Sequence, residues 1–274
     1  MDISLQALVM GIVQGLTEFL PISSSGHLII VPSLLGWNDP FIDSLQFSVV
    51  LHMGTLLALL AYFWRDWLEL VPAGLAAIRD RSMGGDPRRR LAVAIVVATI
   101  PAAVVGVLLN DVIEQNVRHV GLVAVMLVVG GAVLWLADRW SPKLLPLGRL
   151  GPLGAFGIGA AQAVALVPGI SRSGISIAAG LFLGLDRESA ARFSFLMAAP
   201  IIAGAGLFEG RKLLAAGVPA GGTLPLAVGF AAAALSGVAA IAFLMRYLRS
   251  NSMAVFVAYR LILAAIVFVA LLAR

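Results

Sequence analysis

Apolar residues in this chain come mostly in unbroken runs separated by short clusters of Arg, Asp, Gly and Pro, and seldom as the one-sided stripe of a helix lying on a water-soluble core. Six runs, at 45–64, 91–109, 120–137, 190–208, 224–245 and 253–273, reach the length of about 18 residues at which a helix crosses a bilayer. Two further segments, 3–36 and 152–185, are as apolar but are broken near their centres by proline and a serine-glycine cluster. These two are expected to be re-entrant helical hairpins that dip to mid-membrane and return, since irregular backbone at that depth survives only where protein or a wet cavity surrounds it. The stretch 66–80 is amphipathic, and its role is left open.

Composition removes the alternatives. Of 274 residues, 61% are hydrophobic and 12% charged, so no water-soluble domain remains and 1–274 is expected to be one membrane domain. The chain has no cysteine, which excludes disulfides, thiolate metal sites and a cysteine nucleophile. A net charge of +5 might point to nucleic acid, but the arginines sit in short loops between spans, where topology and lipid head groups account for them, so no nucleic-acid partner is expected. The start, Met1-Asp2, has no basic region and meets Gln14 and Glu18 before any small-residue cleavage site, and does not read as a removable signal peptide.

Loop charge then orients the spans, because Lys and Arg are retained on the cytoplasmic side. Loop 65–90 carries Arg65, Arg79, Arg81, Arg88, Arg89 and Arg90, and loop 138–151 carries Arg139, Lys143 and Arg149. With Arg187, Arg192, Arg246 and Arg249, 13 basic residues fall inside; Arg118, Arg211, Lys212 and Arg274, four in all, fall outside. Loop 110–119, where Arg118 is offset by Asp111 and Glu114, reads as external, as does the Lys- and Arg-free stretch 1–43. Arg172 and Arg260 remain as intramembrane cations.

The broken segments align at an offset of 148: "GIVQ" (11–14) over "GAAQ" (159–162), and "SSSG" (23–26) over "SRSG" (171–174). The next spans begin alike, "DSLQFSVVL" (43–51) and "ESAARFSFLM" (188–197). The expected architecture is therefore an all-α integral membrane protein with an inverted-topology repeat, pseudo-repeats 1–140 and 150–274, each a re-entrant hairpin plus three transmembrane helices. An odd number of crossings per half inserts the second upside down. Small-residue spacing such as Gly11 and Gly15 also occurs as ordinary helix packing, but the polar matches at Gln and Ser-x-Ser-Gly carry the repeat beyond that.

At the first break Pro21 stops the incoming helix, and Ser23 is a natural N-cap for a helix starting near 24. The N–H groups of Ser24, Ser25 and Gly26 would then face the tip, an anion-binding arrangement repeated by Pro168, Ser171, Ser173 and Gly174. The halves differ in chemistry: Glu18 and His27 align with Leu166 and Ile175, whereas Arg172 aligns with Ser24. Intramembrane ionisable groups mark function by default; the structural alternative is Glu18 and Arg172 as a buried ion pair, His27 as a packed histidine and the serines as caps. Ser24 and His27, three apart, share a helix face, as do Gln14 and Glu18, four apart. A serine hydroxyl with a neighbouring base, facing an arginine and a helix start, suits attack on phosphorus. His52, within a span, and His119, in the external loop, are weaker candidates. No spacing supports a transition-metal site, while Mg²⁺ or Ca²⁺ bridging Glu18 to phosphate remains open. A transporter or lipid scramblase is the alternative, since inverted repeats with broken helices recur there and need no nucleophile.

"QGLTEFLPISSSGHL" (14–28) and "PGISRSGIS" (168–176) resemble the two signature motifs of the bacterial undecaprenyl-diphosphate phosphatases of the bacitracin-resistance type. The resemblance extends to "FSFLMAAP" (193–200) and "AYRLILA" (258–264) and so covers nearly the whole chain. It implies an inner-membrane enzyme that removes one phosphate from the C55 isoprenyl diphosphate carrier of cell-wall synthesis, with its active site facing the periplasm. Glu18, Ser24, His27 and Arg172 would be functional by match, with Gln14 at a Glu-or-Gln position, Arg260 at the family's late Arg, and Ser176 where many members have Thr. The glutamine at 14 removes one metal-binding carboxylate. The expected phosphate-binding set is Gln14, Ser23, Ser25, Gly26, Ser171, Ser173, Gly174 and Arg260; either Ser24 is the nucleophile, with His27 assisting proton transfer and Glu18 positioning the metal or His27, or His27 is itself the nucleophile. The oligomeric state, a homodimer included, stays open.

Overall fold

A computed structural model describes residues 2–116, 119–217 and 221–273, without the side chains of 110–116 and 212–216. The loop-charge reading at Asp111, Glu114, Arg118, Lys212 and Arg274 therefore lies outside what is described. Among the described residues the regular structure is helical, apart from a short 3₁₀ turn at Leu147–Arg149 and one isolated bridge between Leu145 and Leu185. In chain order the helices are α1 (Ile3–Phe19), α2 (Ser24–Leu35), α3 (Leu45–Tyr62), α4 (Trp64–Arg79), α5 (Pro87–Asn116), α6 (Val120–Trp140), α7 (Pro152–Val164), α8 (Arg172–Phe182), α9 (Arg187–Ala216), α10 (Thr223–Tyr247) and α11 (Ala254–Leu272).

Six of these, α3, α5, α6, α9, α10 and α11, are long and apolar enough to cross a membrane, and they fall on the six apolar runs. Their outer faces stay apolar, with Val107 and Leu272 more than four-fifths exposed at the periphery, as lipid rather than water requires. The broken segments give shorter helices of 17, 12, 13 and 11 residues. At 1.5 Å per residue none of them reaches the roughly 30 Å of a hydrocarbon core.

The breaks occur where local chemistry puts them. Leu20, ahead of Pro21, is extended at ψ 140°, which ends α1. Ser23 adopts φ 77° and its hydroxyl accepts the Gly26 N–H at 3.3 Å, starting α2. In the second segment the chain winds through turns from Ala165 to Ile170, Gly169 takes φ 101°, and Ser171 at φ 75° accepts the Gly174 N–H at 3.1 Å.

Packing crosses between the halves: α1 runs along α10 and α7 along α5, while α3 lies against α9 and α6 against α11. Both hairpin contacts are close enough to require glycine. A Cβ at Gly11 would stand 2.4 Å from the Gly229 carbonyl oxygen, and one at the aligned Gly159 2.1 Å from that of Ala98. Beneath the hairpin tips Phe19 and Phe63 pack on Phe195, at ring separations of 5.5 and 6.3 Å. Toward the arginine-rich side, buried Asp138 accepts from Arg187 at 2.6 and 3.2 Å and from the Met253 N–H at 3.0 Å, tying α6, α9 and α11 together. Arg192 pairs with Asp66.

Candidate active site

Glu18, on the last turn of α1, is 5% exposed, and a carboxylate at that depth persists only if its charge is matched and its lone pairs are used. Its Oε1 accepts from Arg172 Nη2 at 3.0 Å and Nε at 3.3 Å. Its Oε2 accepts from the Ser24 hydroxyl at 2.5 Å and from the Gln14 amide at 3.1 Å, and His52 Nε2 stands 3.8 Å away. One carboxylate thus joins an acid-base group of the first hairpin to the cation of the second.

Helix starts create this arrangement. Ser24 is the first residue of α2 and Arg172 the first of α8, and the two align at the offset of 148. The two tips touch: Ser173 donates to the Leu20 carbonyl at 3.1 Å across the junction. Two positive helix ends therefore converge beside Ser24. Arg172 Nη1 is buried and without an acceptor among the described residues, a donor at the junction that an anionic oxygen would satisfy.

The shared face of Ser24 and His27 lets the imidazole approach a hydroxyl or a phosphate over the helix start, and the structure gives the Ser24 hydroxyl to Glu18. His27 is buried, and its Nδ1 lies 2.7 Å from the Ser23 carbonyl, an acceptor only, so Nδ1 carries the proton. Nε2 then accepts from the Tyr259 hydroxyl at 2.8 Å, with the two rings stacked. Tyr259 was not among the sequence candidates, and only its place beside Arg260 signalled it. His52, rated weak, stands at the site: its Nδ1 donates to the Ser48 carbonyl at 2.8 Å, which turns Nε2 toward Glu18. His119 is exposed at the N-cap of α6.

Several expected phosphate contacts have other work in this geometry. Arg260 is fully buried and donates to backbone carbonyls, from Nε to Leu127 (2.9 Å), from Nη1 to Pro21 (3.3 Å), and from Nη2 to Met126 (3.3 Å), Gly169 (2.7 Å) and Ile170 (3.0 Å). It clamps both tips to α6. A Cβ on Gly130 would lie 2.2 Å from Nη2, so that glycine makes room for the clamp. Ser23 and Ser171 spend their hydroxyls as caps and as neighbours of Ser25 and Ser173, at 3.4 and 3.3 Å. Ser176 meets Ser194 at 2.6 Å beneath α8.

No group of three or more His, Asp or Glu converges among the described residues as a metal cage. A hard cation asks less when phosphate oxygens share its shell. The oxygens such an ion would use here are those of Glu18 and the buried Oε1 of Gln14, which has no partner among the described residues.

Residues 7–266 match the family model of the bacitracin resistance protein BacA. The chain is 46% identical over 268 residues to the undecaprenyl-diphosphatase of Thermomicrobium roseum, covering 95% of each chain. It is 47% identical over 259 residues to that of Pelobacter propionicus, covering 94% of this chain and 93% of the relative, and 46% identical over 276 residues to that of Geobacter sulfurreducens, covering both completely.

Proposed function

The chain belongs to the family of the bacitracin resistance protein BacA, and we propose that it is an undecaprenyl-diphosphatase, hydrolysing undecaprenyl diphosphate to undecaprenyl phosphate and inorganic phosphate and so returning the lipid carrier to cell-wall synthesis. The observation that carries the mechanism is Glu18 holding the Ser24 hydroxyl on one oxygen and the Arg172 guanidinium on the other.

The terminal phosphate sits at the junction of α2 and α8, where the unpartnered Arg172 Nη1 donates to its oxygens. Ser24 Oγ attacks the terminal phosphorus as its proton passes to Glu18 Oε2 over the existing 2.5 Å contact. The new Oγ–P bond forms as the bridging P–O bond breaks, and undecaprenyl phosphate leaves as an anion. Water then attacks the phosphoserine; the P–Oγ bond breaks, Glu18 returns the proton to Ser24, and inorganic phosphate departs with the proton that water loses. Arg172 and the helix starts stabilise charge on the equatorial oxygens throughout. A divalent cation, Mg²⁺ or Ca²⁺, held by Glu18 and Gln14 Oε1, would add positive charge on those same oxygens.

His27 as the nucleophile would first have to release Tyr259. Acid-quenched turnover separates the two routes, because phosphoserine survives acid and phosphohistidine does not. Purified protein in detergent is expected to release phosphate from farnesyl diphosphate, less so with chelator. No release in detergent, with uptake into proteoliposomes, would favour a transporter instead.

The short broken helices and the crossed pairings of α1 with α10 and α7 with α5 support two re-entrant hairpins related by an inverted repeat. Together with the loop charges they support a multi-pass protein of the bacterial inner membrane whose site opens to the periplasm. An impermeant thiol reagent added outside should label Asp39→Cys and spare Arg88→Cys.

A further inference from the structure

Between α3, α4, α5 and α9 lies an apolar groove of about 410 Å³, walled by Leu60, Val71, Leu75, Ile78, Ile95 and Pro200. Its surface is almost wholly carbon, and Trp67 in its wall has a buried indole N–H with no acceptor among the described residues. One wall is α4, which exposes Leu68, Val71, Leu75 and Ile78, the face of a helix lying in a membrane interface. At the Ile78 end the chain turns through 79–90, where five arginines, Arg79, Arg81, Arg88, Arg89 and Arg90, accompany two acids, Asp80 and Asp86. Arg79 and Arg89 share Asp80, and Arg88 pairs with Glu69. Arg81 and Arg90 have no carboxylate partner among the described residues and are exposed.

We propose that this groove is a binding site for one anionic phospholipid of the leaflet that bears the arginine-rich turn, one acyl chain lying along α4 and the phosphate held by Arg81 and Arg90. Charge decides the class of head group, because exposed arginines that no carboxylate neutralises, Arg81 and Arg90, attract anionic lipid at a bilayer surface. The carbon lining suits an acyl chain laid along α4, and a C55 chain would have to run on beyond the groove. This site is separate from the Glu18 junction and does not depend on the reaction proposed there.

The test is native mass spectrometry of the full chain in detergent, titrated with phosphatidylglycerol or with phosphatidylcholine of identical acyl chains. One phosphatidylglycerol should stay bound, favoured about tenfold, a difference of about 1.4 kcal/mol. Arg81→Ala with Arg90→Ala should erase that preference, and Val71→Trp should fill the groove and abolish retention of either lipid. Phosphate release by Val71→Trp is the check on its fold; should that variant fail to fold, the arginine pair alone decides the outcome. Equal retention of the two lipids, or a preference that survives the arginine substitutions, would overturn the proposal in favour of a non-specific lipid belt. Tighter retention of undecaprenyl phosphate than of phosphatidylglycerol would overturn the choice of an acyl lipid. Dimers that form in place of the bound lipid and vanish in Val71→Trp would assign the groove to a second copy.

Discussion

Ser23 in the first hairpin and Ser171 in the second hold φ of 77° and 75°, and each accepts the N–H three residues on, at 3.3 and 3.1 Å. Each precedes by two a serine whose hydroxyl it meets, at 3.4 and 3.3 Å, and each opens a helix whose partner is pinned by a glycine at an aligned position, Gly11 or Gly159. The side chains on these matching backbones have diverged: Glu18, Ser24 and His27 face Leu166, Arg172 and Ile175 across the alignment. Electrostatics accounts for the split. The tips touch, so a carboxylate on both would put two like charges into one low-dielectric site, and an arginine on both would do the same with opposite sign. A junction of two equivalent bends can hold an ion pair only if the bends are not chemically equivalent.

The largest effect should come from restoring that equivalence. Arg172→Glu sets a second carboxylate against Glu18; breaking a buried pair costs about 3–5 kcal/mol, so thermal unfolding in detergent should drop accordingly and phosphate release should vanish. The exchange Glu18→Arg with Arg172→Glu should recover much of the lost stability and none of the activity, because Ser24 would then face a cation in place of a base. Unfolding that does not distinguish the exchange from the single variant would break the electrostatic account.

Ser24→Ala comes next, lowering phosphate release by about a thousandfold or more, the scale for a lost nucleophile, with little change in unfolding. Arg260→Met addresses the clamp common to both tips: it leaves the Pro21, Gly169 and Ile170 carbonyls short of a donor, and at about 1–3 kcal/mol for a buried unsatisfied group it should lower stability by at least about 3 kcal/mol. A fully stable Arg260→Met that fails only in substrate affinity would return Arg260 to phosphate binding. The smallest and most symmetric pair is Gly11→Leu against Gly159→Leu. Overpacking costs about 1–3 kcal/mol, and similar losses in the two, read by unfolding, are expected if the hairpins are structural equivalents.

Much of this was legible along the chain. The six spans follow from hydropathy, a property each segment carries by itself, and the helix breaks at Leu20–Ser23 and Ala165–Ser171 follow from what proline and a capping serine do to their own neighbours. Helix α4 appears where the amphipathic stretch 66–80 is read. The partners within the site were less legible. Spacing put Ser24 with His27, since residues three apart share a helix face, and that much is true of α2. It says nothing about what another element brings to that face.

The sequence by itself determined which six segments are long and apolar enough to cross the membrane, where two further segments break, which residues cap the breaks, and that acid-base groups and cation lie in different halves. Tertiary structure alone decided that Glu18 takes the Ser24 proton contact, that Tyr259 occupies His27, that His52 reaches Glu18, and that Arg260 holds carbonyls. The physical reason is one of range. Hydropathy, proline geometry and capping act within a few residues, whereas each of these pairings joins groups from different elements, in most cases far apart in sequence, and follows only from how closely small-residue faces let the helices approach.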